Sequence, residues 1–69
     1  MTQHEKIYTA TKYVEEGYDG EELYYGDDLY NFHGEEKESI YQEILGYMEE
    51  YRDLGRNGFK EKYPSVKTY

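Results

Sequence analysis

Carboxylates are the side chains with which this 69-residue chain can do the most chemistry. Between Glu15 and Asp53 stand fourteen of them against two bases, Lys37 and Arg52, a net of −12. The ends carry the other sign: residues 1–14 sum to +1 and residues 54–69 to +3, which brings the whole chain to −8. Paired carboxylates can run general acid–base hydrolysis or ligate hard cations. They can also present regularly spaced single charges in the manner of a nucleic-acid backbone. Self-repulsion on this scale opposes a compact fold, so a use for it is expected.

The first two chemistries have acids enough but no specific motif to arrange them. Tyr25-Gly26-Asp27-Asp28 resembles the catalytic tetrapeptide of RNA-directed polymerases. Those enzymes need a further aspartate from a distant strand and a far longer chain, and a four-residue match is weakly specific. Asp19-Gly20-Glu21-Glu22 lacks the ligand spacing and closing glutamate of an EF-hand loop. His4 and His33 are isolated, without a zinc-ligand register, and no cysteine is present to supply a thiolate or a disulfide. A chain this small has little room for a pocket of ordinary ligand size. No enzyme activity, metal or cofactor is expected.

The third chemistry finds its supports. Ile40, Ile44, Tyr47, Met48, Tyr51 and Leu54 recur at three- and four-residue spacing, which predicts an amphipathic helix over about 35–54. Gly34 precedes it, Gly55 is a natural stop, and Glu35, Glu36 and Glu38 suit the positive end of its dipole. Opposite the apolar stripe lie Glu38, Gln42, Glu43, Gly46, Glu49, Glu50 and Asp53. An ordinary solvated face mixes signs, because Glu–Lys pairs four apart each stabilise a helix by about 0.2–0.5 kcal/mol. Here Glu49 and Asp53 set like charges at that spacing. Gly46, which costs about 1 kcal/mol against alanine in a helix interior, suggests the close approach of a partner or of the protein's own sheet; bending or close packing explains it equally well.

Upstream, Lys6–Val14 is rich in β-branched and aromatic residues, which favour a strand. Glu22–Tyr25 and Leu29–Phe32 read as a hairpin about Gly26-Asp27-Asp28, and Phe59–Tyr63 as a short strand ended by Pro64. The expected fold is therefore α+β: one domain over 1–69, an antiparallel sheet of three to four short strands with the long helix packed on one face. A second acidic cluster, Glu15, Glu16, Asp19, Glu21, Glu22, Asp27 and Asp28, falls at strand ends and turns. Tyr18, Tyr24, Tyr25 and Tyr30 lie among these acids, as suits a protein interface where an opposing arginine pairs with an acid and stacks on a ring, with Tyr18 expected as the exposed anchor.

Ile, Leu, Val and Phe together number only eleven, few enough to suggest disorder. Eleven tyrosines argue for folding, since each buries a large ring and keeps its hydroxyl wet; at least half are expected in the core. No apolar run reaches membrane-spanning length, no signal-peptide apolar region follows Met1, and the acidity repels anionic lipid and nucleic acid. A cytoplasmic setting is expected.

In charge density, size and aromatic content, residues 15–53 resemble the small acidic nucleic-acid-mimicking inhibitors of phages and other mobile elements. These include uracil-DNA glycosylase inhibitors, anti-restriction proteins and some anti-CRISPR proteins. The resemblance implies a non-enzymatic inhibitor that occupies the basic groove of a nucleic-acid-handling protein. The residues expected to make the contact are Glu38, Glu43, Gly46, Glu49, Glu50 and Asp53 on the helix, with Glu15, Glu16, Asp19, Glu21, Glu22 and Tyr18. The alternative is a small interaction subunit or homodimer with a tyrosine-rich surface, its acids serving solubility.

Overall fold

The structure, a computed structural model, describes residues 1–69. It is entirely helical: α1 spans Gln3–Glu15, α2 Gly20–Tyr25, a single 3-10 turn Asp27–Leu29, and α3 Gly34–Lys62. The expected α+β fold is overturned, for no strand forms and every segment assigned to the sheet is helix or turn.

Lys6–Val14 is helical because its apolar side chains have a face to bury. Ile7, Ala10 and Thr11 are fully buried, and Val14 continues the same three- and four-residue spacing. Burying an isoleucine is worth about 1.5–3 kcal/mol, which exceeds the few tenths by which β-branched residues disfavour a helix. A capping box opens α1: the Thr2 hydroxyl accepts from the Glu5 N–H while the Glu5 carboxylate accepts from the Thr2 N–H. It closes in a Schellman motif. The Gly17 N–H reaches the Val14 carbonyl, and the Tyr18 N–H reaches the Tyr13 carbonyl at 2.8 Å. Gly17 takes the positive φ of 79° that the motif needs, and the Tyr18 ring packs on that of Tyr13, centroids 5.6 Å apart.

The expected hairpin fails for a related reason. Asp19 accepts from the Glu21 and Glu22 N–H groups, and Glu22 reaches back to the Asp19 N–H, so a second capping box starts α2 where a turn was expected. Gly26 then returns to extended backbone, and the 3-10 turn carries Leu29 into the interior.

The long helix is present as the body of α3. Ile40, Ile44, Met48 and Tyr51 are buried along its stripe, whereas Leu54 is 45% exposed. Gly55 (φ 75°, ψ 171°) breaks the helical path. The helix resumes beyond it and delivers Phe59, expected on a strand, fully buried. It ends at Tyr63, which leaves the helical region (φ −125°, ψ 66°) ahead of Pro64, a residue that disfavours helical backbone in the one before it.

The core has two parts. Ala10, Tyr13, Leu23, Leu29, Ile40, Ile44 and Met48 form the larger, and Ile7, Tyr51 and Phe59 the smaller; Val14 and Tyr47 touch both. Only Tyr13 and Tyr51 among the tyrosines are buried, fewer than the composition suggests. Most of the others lie across the core's rim, ring against ring. No helix is long and apolar enough to cross a membrane.

Candidate functional site

The nominated acids divide by whether the fold itself employs them. Glu43 pairs with Lys6 of α1, Glu50 with Lys62 at 3.2 Å, and Glu15 with Arg56 at 3.9 Å. Glu15 also accepts from the Tyr51 hydroxyl at 2.8 Å. The neighbouring Tyr63 hydroxyl and then Lys62 hold the Glu50 carboxyl below the usual carboxylate range, and the nearby Glu50 carboxylate pushes Tyr63 up to about 12. Glu50 Oε1 is buried without a hydrogen-bond partner. Asp19 and Glu22 cap α2, and their hydrogen bonding lowers the Asp19 carboxyl. Glu16 faces Tyr69, whose hydroxyl its charge and hydrogen bond push upward.

What remains on α3 is a narrower ridge. Glu38, Glu49 and Asp53 are exposed and have no ion-pair partner; Glu38 accepts only from the Gln42 amide. At about 1.5 Å per residue they span about 22 Å of the helix's solvent side. Gly46 lies among them, and a Cβ placed there meets nothing within 4 Å. The expected approach of the protein's own sheet is excluded, together with close internal packing.

Part of the second cluster lines an open cleft of about 470 Å³ between the end of α1 and the start of α2 and its turn. Glu16, Glu22, Asp27 and Asp28 face it, Lys12 is the one base, and Tyr13 and Tyr18 supply aromatic wall. Burial, then the hydrogen bond to Asp28, pushes the Tyr13 hydroxyl well above its ordinary value. Tyr18 is 44% exposed, as an anchor must be, although its place beside Tyr13 also terminates α1. Its carbonyl accepts from the Arg52 guanidinium at 3.3 Å, so Arg52 does not face the ridge as a free cation. The ridge belongs to α3 and the cleft to α1 and α2, with Glu21 exposed in the first turn of α2.

Tyr24 and Tyr25, legible in the sequence as interface aromatics among acids, form an aromatic platform where α2 meets α3; what the sequence did not reveal is that Tyr41 and Lys37 complete it. The Tyr24 ring stands edge-on to Tyr25 at 5.1 Å and to Tyr41 at 4.8 Å. The Lys37 ammonium sits 4.2 Å above the Tyr24 centroid and 5.9 Å from that of Tyr25. Tyr25 is 78% exposed. The available signal was the pair Lys37 and Tyr41, four apart on the one helix that the pattern made plain.

The rest of the surface is ordinary. A shallow groove of about 350 Å³ lies among Met1, His4, Tyr8, Thr9 and Lys67, and no three His, Asp or Glu side chains are grouped to hold a metal ion. No protein-family model matches the chain, and no curated protein or solved structure does so either.

Proposed function

We infer that this protein is a non-enzymatic acidic inhibitor, of the kind made by phages and mobile elements, that blocks the basic groove of a nucleic-acid-handling protein. One observation carries this reading. After the fold has employed Glu15, Glu43 and Glu50 in ion pairs and Asp19 and Glu22 in caps, the ridge of Glu38, Glu49 and Asp53 still faces solvent with no base among them. Like charges four apart weaken the helix that bears them, and a basic partner turns that cost into attraction. Such a surface gives fast association with strong salt dependence. The acid-lined cleft beside Tyr18 offers a further seat for a basic side chain. A cysteine-free chain suits a reducing cytoplasm.

The test is affinity capture from a host lysate with elution by salt gradient and by added DNA. Capture that neither DNA nor salt weakens ends the mimic reading. A small interaction subunit is the second reading, favoured by the exposure of Tyr25 and Tyr30 at 78% and 74%. It expects capture that survives charge reversal on α3 and fails when those rings are removed.

A further inference from the structure

We propose that the Tyr24–Tyr25–Tyr41 platform is an arginine-reading contact, a place where guanidinium groups of a basic protein segment stack on tyrosine. The platform already holds a cation. Lys37, one of two bases in the −12 segment, places its ammonium over the Tyr24 face at 4.2 Å, which is the arrangement the ring quadrupole favours. Tyr25 lies 5.9 Å from the same ammonium and keeps 78% of its surface open, so ring face is left over for a cation from outside.

Carboxylates stand beside the rings from both helices. Glu21 lies one turn before Tyr24 and Tyr25 on α2, and Glu38 lies one turn before Tyr41 on α3, at spacings that make helical neighbours. Both are exposed and neither is ion-paired. Arginine suits this combination better than lysine. Its planar, weakly hydrated guanidinium can stack on a ring and fork to a carboxylate at once, whereas an ammonium is a compact, strongly hydrated point charge. The occupant is accordingly an arginine-rich segment of a protein, chosen by charge complementarity to the acidic sector and by the rings.

The contact deepens the reading of this protein as a ligand for a basic partner and rests on it, but the experiment runs on the isolated chain. Fluorescence anisotropy compares labelled nona-arginine and nona-lysine peptides binding to the protein, to Tyr25→Leu, and to the double variant Glu21→Gln, Glu38→Gln. Tyr25 is exposed enough that its replacement leaves the core intact. The wild type is expected to prefer the arginine peptide by about 3- to 5-fold. Tyr25→Leu should bring the two peptides to parity by weakening the arginine peptide alone, and the double variant should weaken both. Equal affinities for the wild type, or a preference unchanged in Tyr25→Leu, overturn the proposal. A ring-dependent preference beside DNA-insensitive partner capture sinks the nucleic-acid mimic and leaves this contact standing.

Discussion

The Tyr13 hydroxyl donates to Asp28 Oδ2 at 2.7 Å, tying the buried end of α1 to the turn that follows α2. The same pairing recurs where Tyr51 donates to Glu15 across α1 and α3. Part of the tyrosine–carboxylate interleaving thus serves internal fastening, with phenols as donors to acids that outnumber the available bases. Tyr13→Phe removes only the oxygen. A hydrogen bond to a charged group contributes about 1.5–3 kcal/mol, and the loss here should fall near the low end, because Asp28 keeps some contact with water. The denaturant midpoint should drop with the slope unchanged. Tyr51→Phe should cost less, since Arg56 still faces Glu15.

Alkaline pH should loosen the fold through the same groups. Tyr13, Tyr51, Tyr63 and Tyr69 all have raised hydroxyl values, Tyr63 reaching about 12. A raised value means that the folded state holds its protons more tightly than the unfolded chain. The stabilisation is therefore complete below the ordinary tyrosine value of 10 and is lost as pH climbs through the folded values. Denaturation midpoints measured from pH 9 to 12 should be flat at first and then fall. Tyr63→Phe should make that fall shallower and lower the plateau, and a fall of wild-type steepness in that variant would exclude Tyr63 as a contributor.

Gly26 and Gly46 should respond to alanine in opposite directions. A Cβ at Gly26 would stand 2.6 Å from the Glu22 carbonyl oxygen and 2.9 Å from the Tyr13 hydroxyl. The backbone atom cannot give way cheaply, so Gly26→Ala should cost about 1–3 kcal/mol and disturb the Tyr13–Asp28 bond. Gly46 meets nothing, and Gly46→Ala should raise stability by about 1 kcal/mol. Thermal melts of the two variants check both signs. If the stabilised Gly46→Ala also binds a captured basic partner less tightly, the partner's side chains approach the helix backbone there.

The contrast between α3 and the rest explains how far the sequence alone reaches. Six apolar positions at helical spacing, bracketed by Gly34 and Gly55, specify the body of α3 without any partner. In α1 the local preference of Ile7, Thr9, Thr11 and Val14 points to a strand, and burial against α3 decides otherwise. The contrary signals were short: Thr2 with Glu5, Asp19 with Glu22, each an N-cap followed three residues later by glutamate. Asp19 and Glu22 drew attention as surface charge, yet their first task is capping. Likewise Glu43 and Glu50 share the helix's polar side with Glu49, but their positions on its flanks bring them to Lys6 and Lys62. A wheel drawn for one helix cannot show which flank a neighbour will cover.

That distinction selects the variants that can test the acidic ridge without damaging the fold. Glu43→Lys would set a second cation against Lys6, whose side chain is only 17% exposed, and any loss of binding would be confounded by loss of structure. Glu49→Lys exchanges repulsion with Asp53 for attraction but does the reverse with Arg52 three residues on, changes of about 0.2–0.5 kcal/mol each that oppose one another. Glu49→Lys and Glu38→Lys should therefore each change stability by less than about 0.5 kcal/mol. The double variant should nonetheless lose at least 10-fold, about 1.4 kcal/mol, in affinity for the captured partner, with a shallower dependence on salt. Undiminished affinity in a fully folded double variant would remove the ridge from the interface and transfer the binding role to the exposed tyrosines.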